Sequence, residues 1–148
     1  MIKRILIFLL FVLISLWKAA AQEGLTISPL FDGRYNNNSN AVEVLVKGKK
    51  LAKYNLSLFR SLTLKNSPDQ YRQIENMVMA DGVKAVNKET GKVGSRLFYG
   101  FFQLPSKDGK NRYLFYRNNS LSRNKSDEIT LVYMEGNTTI DELKNMFK

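Results

Sequence analysis

The chain has 148 residues, with 23 lysines and arginines against 13 acids, a formal net charge of +10, and neither histidine nor cysteine. That length suits one folded domain behind a leader. The missing residue types exclude zinc, haem and iron–sulfur sites of the usual kinds, histidine-based triads and general bases, and disulfide staples.

Met1-Ile2-Lys3-Arg4 is a short basic start, and Ile5 to Trp17 is apolar except for Ser15. Ala19-Ala20-Ala21 then precedes Gln22. Charged start, apolar run and small-residue site form the layout of a secretory signal. A membrane anchor would need about 20 consecutive apolar residues, and Lys18 closes this run early. No cysteine follows it to carry a lipid. The expected organisation is therefore a signal peptide over residues 1–21 and a single α+β domain over 22–148. The mature protein would be periplasmic or extracellular. Cleavage would remove Lys3, Arg4 and Lys18, lowering the net charge from +10 to +7.

In the mature chain, Leu25, Ile27, Leu30 and Phe31 can dock on the body, and Asp32-Gly33 and Asn36 to Asn40 read as turn and loop. Val42, Val44 and Val46 alternate with Glu43 and Leu45, which predicts a strand with one buried side over 41–47. Leu56, Leu58, Leu62 and Leu64 predict a second strand over 56–64, interrupted at Phe59-Arg60. Ser67-Pro68-Asp69 opens a helix over 68–88, with Tyr71, Ile74, Met77, Val78 and Ala85 at helical spacing. Gly82 inside it suggests close packing on the sheet, since glycine there costs about 1 kcal/mol relative to alanine.

Gly91 to Ser95 reads as a loop. Arg96 to Leu104 predicts a strand with Leu97, Tyr99 and Phe101 on one side and Phe98, Phe102 and Leu104 on the other. Asp108-Gly109 is a type I′ hairpin signal, with Asn111 to Arg117 as the returning strand. Glu128 to Met134 is the last strand, and Thr138-x-x-Asp141 and Thr139-x-x-Glu142 both resemble capping boxes, Asp141 being the weaker partner, before a helix over 139–147. The predicted order β-β-α-β-β-β-α implies an antiparallel sheet of about four to five strands with two helices on one face.

Glu43-Val44-Leu45-Val46-Lys47-Gly48-Lys49, Leu58-Phe59-Arg60-Ser61-Leu62, Asn111-Arg112-Tyr113-Leu114-Phe115-Tyr116-Arg117-Asn118-Asn119 and Thr130-Leu131-Val132-Tyr133-Met134-Glu135-Gly136 carry a resemblance, together with Gln22-Glu23-Gly24-Leu25. The chain resembles a family of small exported proteins of Bacteroidota catalogued as a domain of unknown function. The resemblance implies export and a small α+β domain, and brings no activity, cofactor or site residue.

Chemical constellations are sparse. Ser122-x-x-Lys125 has the S-x-x-K spacing but lacks the companion S-D-N and K-T-G elements, and a basic loop explains it better. Glu43, Asp127, Glu128 and Glu135 are the candidate paired carboxylates. Asp127 and Glu128 are neighbours at a strand start and point to opposite faces. Asp32-Gly33-Arg34 fails the calcium-loop pattern. Tyr99-Gly100-Phe101-Phe102 is similar to the centre of an RNA-recognition strand, but Leu97-Phe98 and Leu104 break that pattern. Lys47, Lys49, Lys50 and Lys53 form one basic cluster. Lys107, Lys110, Arg112, Arg117, Arg123 and Lys125 form another, suited to an anionic partner or simply to keeping sheet edges apart.

The leading expectation is an exported, non-enzymatic binding or interaction module of the cell envelope. Its candidate surface is Tyr99, Arg112, Tyr113, Tyr116, Arg117 and Tyr133, because aromatic and arginine side chains concentrate interface energy. The partner would be an envelope protein, an anionic glycan or a lipid head group. Nucleic acid is disfavoured, and no cofactor or metal is implied. The alternative is a small periplasmic hydrolase using carboxylates or Ser122 and Lys125. A structural subunit of an envelope assembly is a third reading.

Overall fold

The computed structural model describes residues 24–123 and 126–146. The leader read over 1–21, together with Lys125 and Phe147, lies outside them. The described residues form strands β1 (Ala41–Lys47), β2 (Leu56–Lys65), β3 (Asn87–Val93), β4 (Arg96–Lys107), β5 (Lys110–Asn118) and β6 (Glu128–Gly136). Helix α1 (Pro68–Gly82) follows β2, and helix α2 (Ile140–Met146) follows β6. The α+β expectation holds. All six strands join one antiparallel sheet in the order β1-β2-β6-β5-β4-β3.

Two expectations change. The sheet has six strands rather than four to five, because the chain expected to be helix end and loop forms β3. The two helices pack on opposite faces rather than one. Tyr71, Ile74 and Val78 of α1 join Leu62, Leu64, Leu97, Phe102, Leu104, Leu114, Tyr116, Ile129, Leu131 and Tyr133 in the first core. Leu143 of α2 joins Leu51, Leu56, Phe101, Tyr113, Val132 and Met134 in the second.

On the first face, Pro68 occupies the first turn of α1 and Asp69 favours its positive end. Ser67 is at the N-cap position, yet its hydroxyl donates to Lys65 O at 2.9 Å instead of capping the helix. Gly82 ends α1 against the Phe102 ring: an added Cβ would lie 2.6 Å from Phe102 Cε1. The close packing suggested by that glycine is present, and the helix stops there rather than at residue 88.

The expected N-terminal docking also holds, with Ile27, Leu30 and Phe31 buried in the first core. Asp81 fixes this segment, accepting from Thr26 N at 2.7 Å and Ile27 N at 3.0 Å. Asp81 is buried, so Asp81→Ala would strand two backbone donors. The expected loss is about 2–3 kcal/mol of stability by urea denaturation. Faster amide exchange over 24–35 should accompany it, and protection equal to the wild type would refute the tether.

The second face is covered only in part. The Gly48–Tyr54 3₁₀ segment and α2 lie over one end of it. The capping box forms: Glu142 N donates to Thr139 Oγ1 at 3.2 Å, and Thr139 N to Glu142 Oε2 at 3.4 Å. Thr138 Oγ1 also donates to Glu142 at 2.9 Å. These bonds, that from Thr138 foremost, hold the Glu142 carboxyl below its ordinary pKa.

The β1 expectation is half right. The strand forms, but its valine side is not buried: Val42 is 55% exposed and Val44 42%. β1 is an edge strand, and no helix among the described residues covers this part of the second face.

Candidate functional site

The sheet register aligns side chains on the second face. Val42, Thr63, Thr130, Arg117 and Tyr99 form one row across β1, β2, β6, β5 and β4. The next row runs Val44, Ser61, Val132, Phe115, Phe101 and Glu89. Directly opposed residues share a face and touch, so these rows are continuous surfaces.

At the β3–β4 edge the register shifts, with Gly91 opposite Tyr99 but Lys92 opposite Leu97. Phe98 is the extra residue of this bulge. A bulge re-aims side chains, and here Phe98 joins Tyr99 on the second face while Leu97 turns into the first core. The expected alternation along β4 is corrected accordingly. Gly91 makes room, because an added Cβ would lie 2.3 Å from Tyr99 Cε1.

The result is a groove of about 350 Å³ lined by Glu89, Phe98, Tyr99, Phe101, Phe115, Arg117 and Lys144. Phe101 is buried and packs against Phe115 with ring centroids 5.8 Å apart. Phe98 and Tyr99 meet edge to face at 6.2 Å. Arg117 stacks its guanidinium over Phe98 at 5.3 Å, while its Nε donates to Asn119 Oδ1 at 2.8 Å. That arrangement fixes the planar cation against the aromatic wall. From α2, Lys144 Nζ reaches Glu89 Oε2 of β3 at 2.6 Å. Its hydrogen bond to Glu89 is the main reason its pKa lies above the ordinary lysine value. The groove therefore has apolar walls, two cations and one anion.

The six residues singled out from sequence do not form one surface. Tyr99 and Arg117 are in the groove. Tyr113 shares their face but is fully buried, donating to Thr138 O at 2.7 Å and so anchoring the turn into α2. Arg112, Tyr116 and Tyr133 belong to the other face and are buried. Arg112 Nε donates to Pro105 O at 2.9 Å, and Tyr133 donates to Glu135 Oε1 at 2.7 Å. Phe98, Phe101, Phe115, Glu89 and Lys144 were missed. The signal available for Phe98 was a sixfold run of apolar and small residues too long for strict alternation.

Of the candidate carboxylates, Glu43 opposes Leu62 and so lies on the first-face side, whereas Glu128 pairs with Lys65 at 3.8 Å on the other. Glu135 opposes Leu58, four residues along β2 from Leu62, and lies on the same side as Glu43. No cluster of three potential metal-ligating side chains occurs among the described residues. None of their helices is long and apolar enough to cross a membrane.

Residues 14–147 match the sequence pattern of DUF6108, a family of unknown function. The chain belongs to that family. The DUF6108 match spans every strand and helix described above. No curated protein and no solved structure matches the chain.

Proposed function

We propose that the protein is an exported, non-enzymatic binding module of the cell envelope that holds a segment of an acidic glycan. The observation that carries this reading is the groove at the β3–β4 bulge, where Phe98, Tyr99, Phe101 and Phe115 meet Arg117, with Lys144 ion-paired to Glu89 beside them. Ligand sites are apolar clefts of about 300–1,000 Å³ with a few placed polar groups. Aromatic faces suit the C–H faces of a sugar ring, and a stacked arginine suits a sugar carboxylate bidentately. The signal-like first 21 residues support the exported location. The separation of Glu43 from Glu128 favours binding over carboxylate-based hydrolysis.

Calorimetric titration with a uronic-acid tetrasaccharide tests the reading. Arg117→Ala and Phe98→Ala should each weaken binding about 10-fold, as expected for loss of a charge-assisted or stacked contact. The neutral methyl ester should bind more weakly than the acid. Affinity unchanged in both variants, or no binding to the wild type, would overturn it.

A further inference from the structure

The two edges of the sheet differ in a way that bears on self-association. β3 is guarded by Lys88, Glu89 and Lys92, all exposed, as edge strands commonly are. β1 carries Ala-Val-Glu-Val-Leu-Val-Lys, and Val42, Val44 and Leu45 are 55%, 42% and 53% exposed. Among the described residues no strand pairs with its outer side. The β1–β2 ladder opens with Lys65 N donating to Asn40 O at 2.8 Å. Alternation along an antiparallel ladder then turns the N–H and C=O groups of Glu43, Leu45 and Lys47 outward.

We propose that β1 pairs antiparallel with β1 of a second copy, with the twofold axis at Leu45, extending the sheet continuously across two molecules. In this register Leu45 meets its own counterpart, and Glu43 of each copy opposes Lys47 of the other. The outward-facing backbone groups of these residues satisfy one another in hydrogen-bonded pairs. On the opposite face Val44 packs against Val46 of the other copy, so an exposed valine gains a β-branched cross-strand neighbour, while Val42 falls opposite Gly48. Neighbouring registers lack this match. An axis on Val44 sets Glu43 against Leu45, and an axis on Glu43 sets like charges face to face. The charge pattern of β1 is thus complementary to itself in one register, which favours a second copy over an unrelated strand. The groove lies at the other edge of the sheet, at β3 and β4, and takes no part.

Sedimentation velocity over a concentration series tests the pairing, with circular dichroism to verify folding. The wild type should dimerise reversibly. Glu43→Lys places lysine opposite Lys47 twice per dimer and should raise the dissociation constant about 10-fold. Lys47→Glu should do the same through paired glutamates. The double variant Glu43→Lys/Lys47→Glu restores opposite charges and should return the constant to within about 3-fold of the wild type. A wild type that stays monomeric up to about 1 mM would overturn the proposal. So would single variants that dimerise unchanged, or a double variant no better than the singles.

Discussion

Gly136→Ala is expected to lower stability by about 3 kcal/mol, the upper range for forcing an atom into a packed site. Gly136 is the point where β6 leaves the sheet. An added Cβ would lie 2.4 Å from Asn55 O and 2.7 Å from Leu56 Cα, both backbone atoms that cannot rotate aside. Asn55 is itself held in the left-handed region, with φ 57°. Its carbonyl accepts from both Asn137 N and Thr138 N at 2.9 Å. These bonds begin the turn that leads to α2, and α2 brings Lys144 to the groove. The substitution should therefore shift the urea midpoint and also weaken ligand binding. Gly109→Ala is the contrast: its φ is +75°, but nothing lies within 4 Å of the added Cβ. Only the left-handed penalty of about 1–2 kcal/mol applies there. Equal losses at the two glycines would contradict the close approach at Gly136.

The second large effect is alkaline unfolding. Tyr35, Tyr71, Tyr113, Tyr116 and Tyr133 all have raised pKa values, and burial is the leading cause for each. Tyr71 is pushed up to about 12. Its hydroxyl bonds to Asp127 O at 3.0 Å and Leu64 O at 3.2 Å inside the first core. A folded pKa above the unfolded value near 10 means that the stabilisation is complete below pH 10. It is lost as pH rises from about 10 through the folded values. At about 1.4 kcal/mol per unit, Tyr71 alone withdraws roughly 2–3 kcal/mol by pH 12. With no histidine in the chain, stability should be nearly flat from about pH 6 to 9. Urea midpoints across pH, read beside tyrosinate absorbance, check this. Ionisation of these five buried tyrosines near pH 10 while the protein stays folded would refute it.

Much of this architecture is legible in residue pattern. Leu58, Leu62 and Leu64 of β2, the Pro68 start of α1 and the Thr139–Glu142 capping box each follow from local physics that tertiary packing did not override. The break in β2, however, falls between Leu56 and Leu58 rather than at Phe59-Arg60, and it turns Leu56 into the second core. Asp108-Gly109 makes its hairpin with both φ values positive, 53° and 75°. β3 was illegible because Asn-Lys-Glu-Thr-Gly-Lys-Val carries no apolar alternation. It is a strand only because β4 offers it a ladder. β1 misled in the opposite direction: its alternation is real, but pattern alone does not distinguish a buried face from an uncovered edge. The groove was half visible. Tyr99 and Arg117 were picked out as aromatic and basic, whereas Phe98 depends on a bulge and Lys144 on the placement of a distant helix. Tyr113, Tyr116 and Tyr133 show the converse, because a tyrosine in a strand is as ready to fill a core as to face a partner.

An amide and side-chain NMR titration of the folded protein with the uronic-acid tetrasaccharide tests ligand binding in the groove most directly. Saturable shifts should concentrate at Phe98, Tyr99, Phe101, Phe115, Arg117 and Lys144, with Tyr116 and Tyr133 on the opposite face unmoved. Shifts confined to the exposed lysines, or none at these groove residues at saturating sugar, would contradict it.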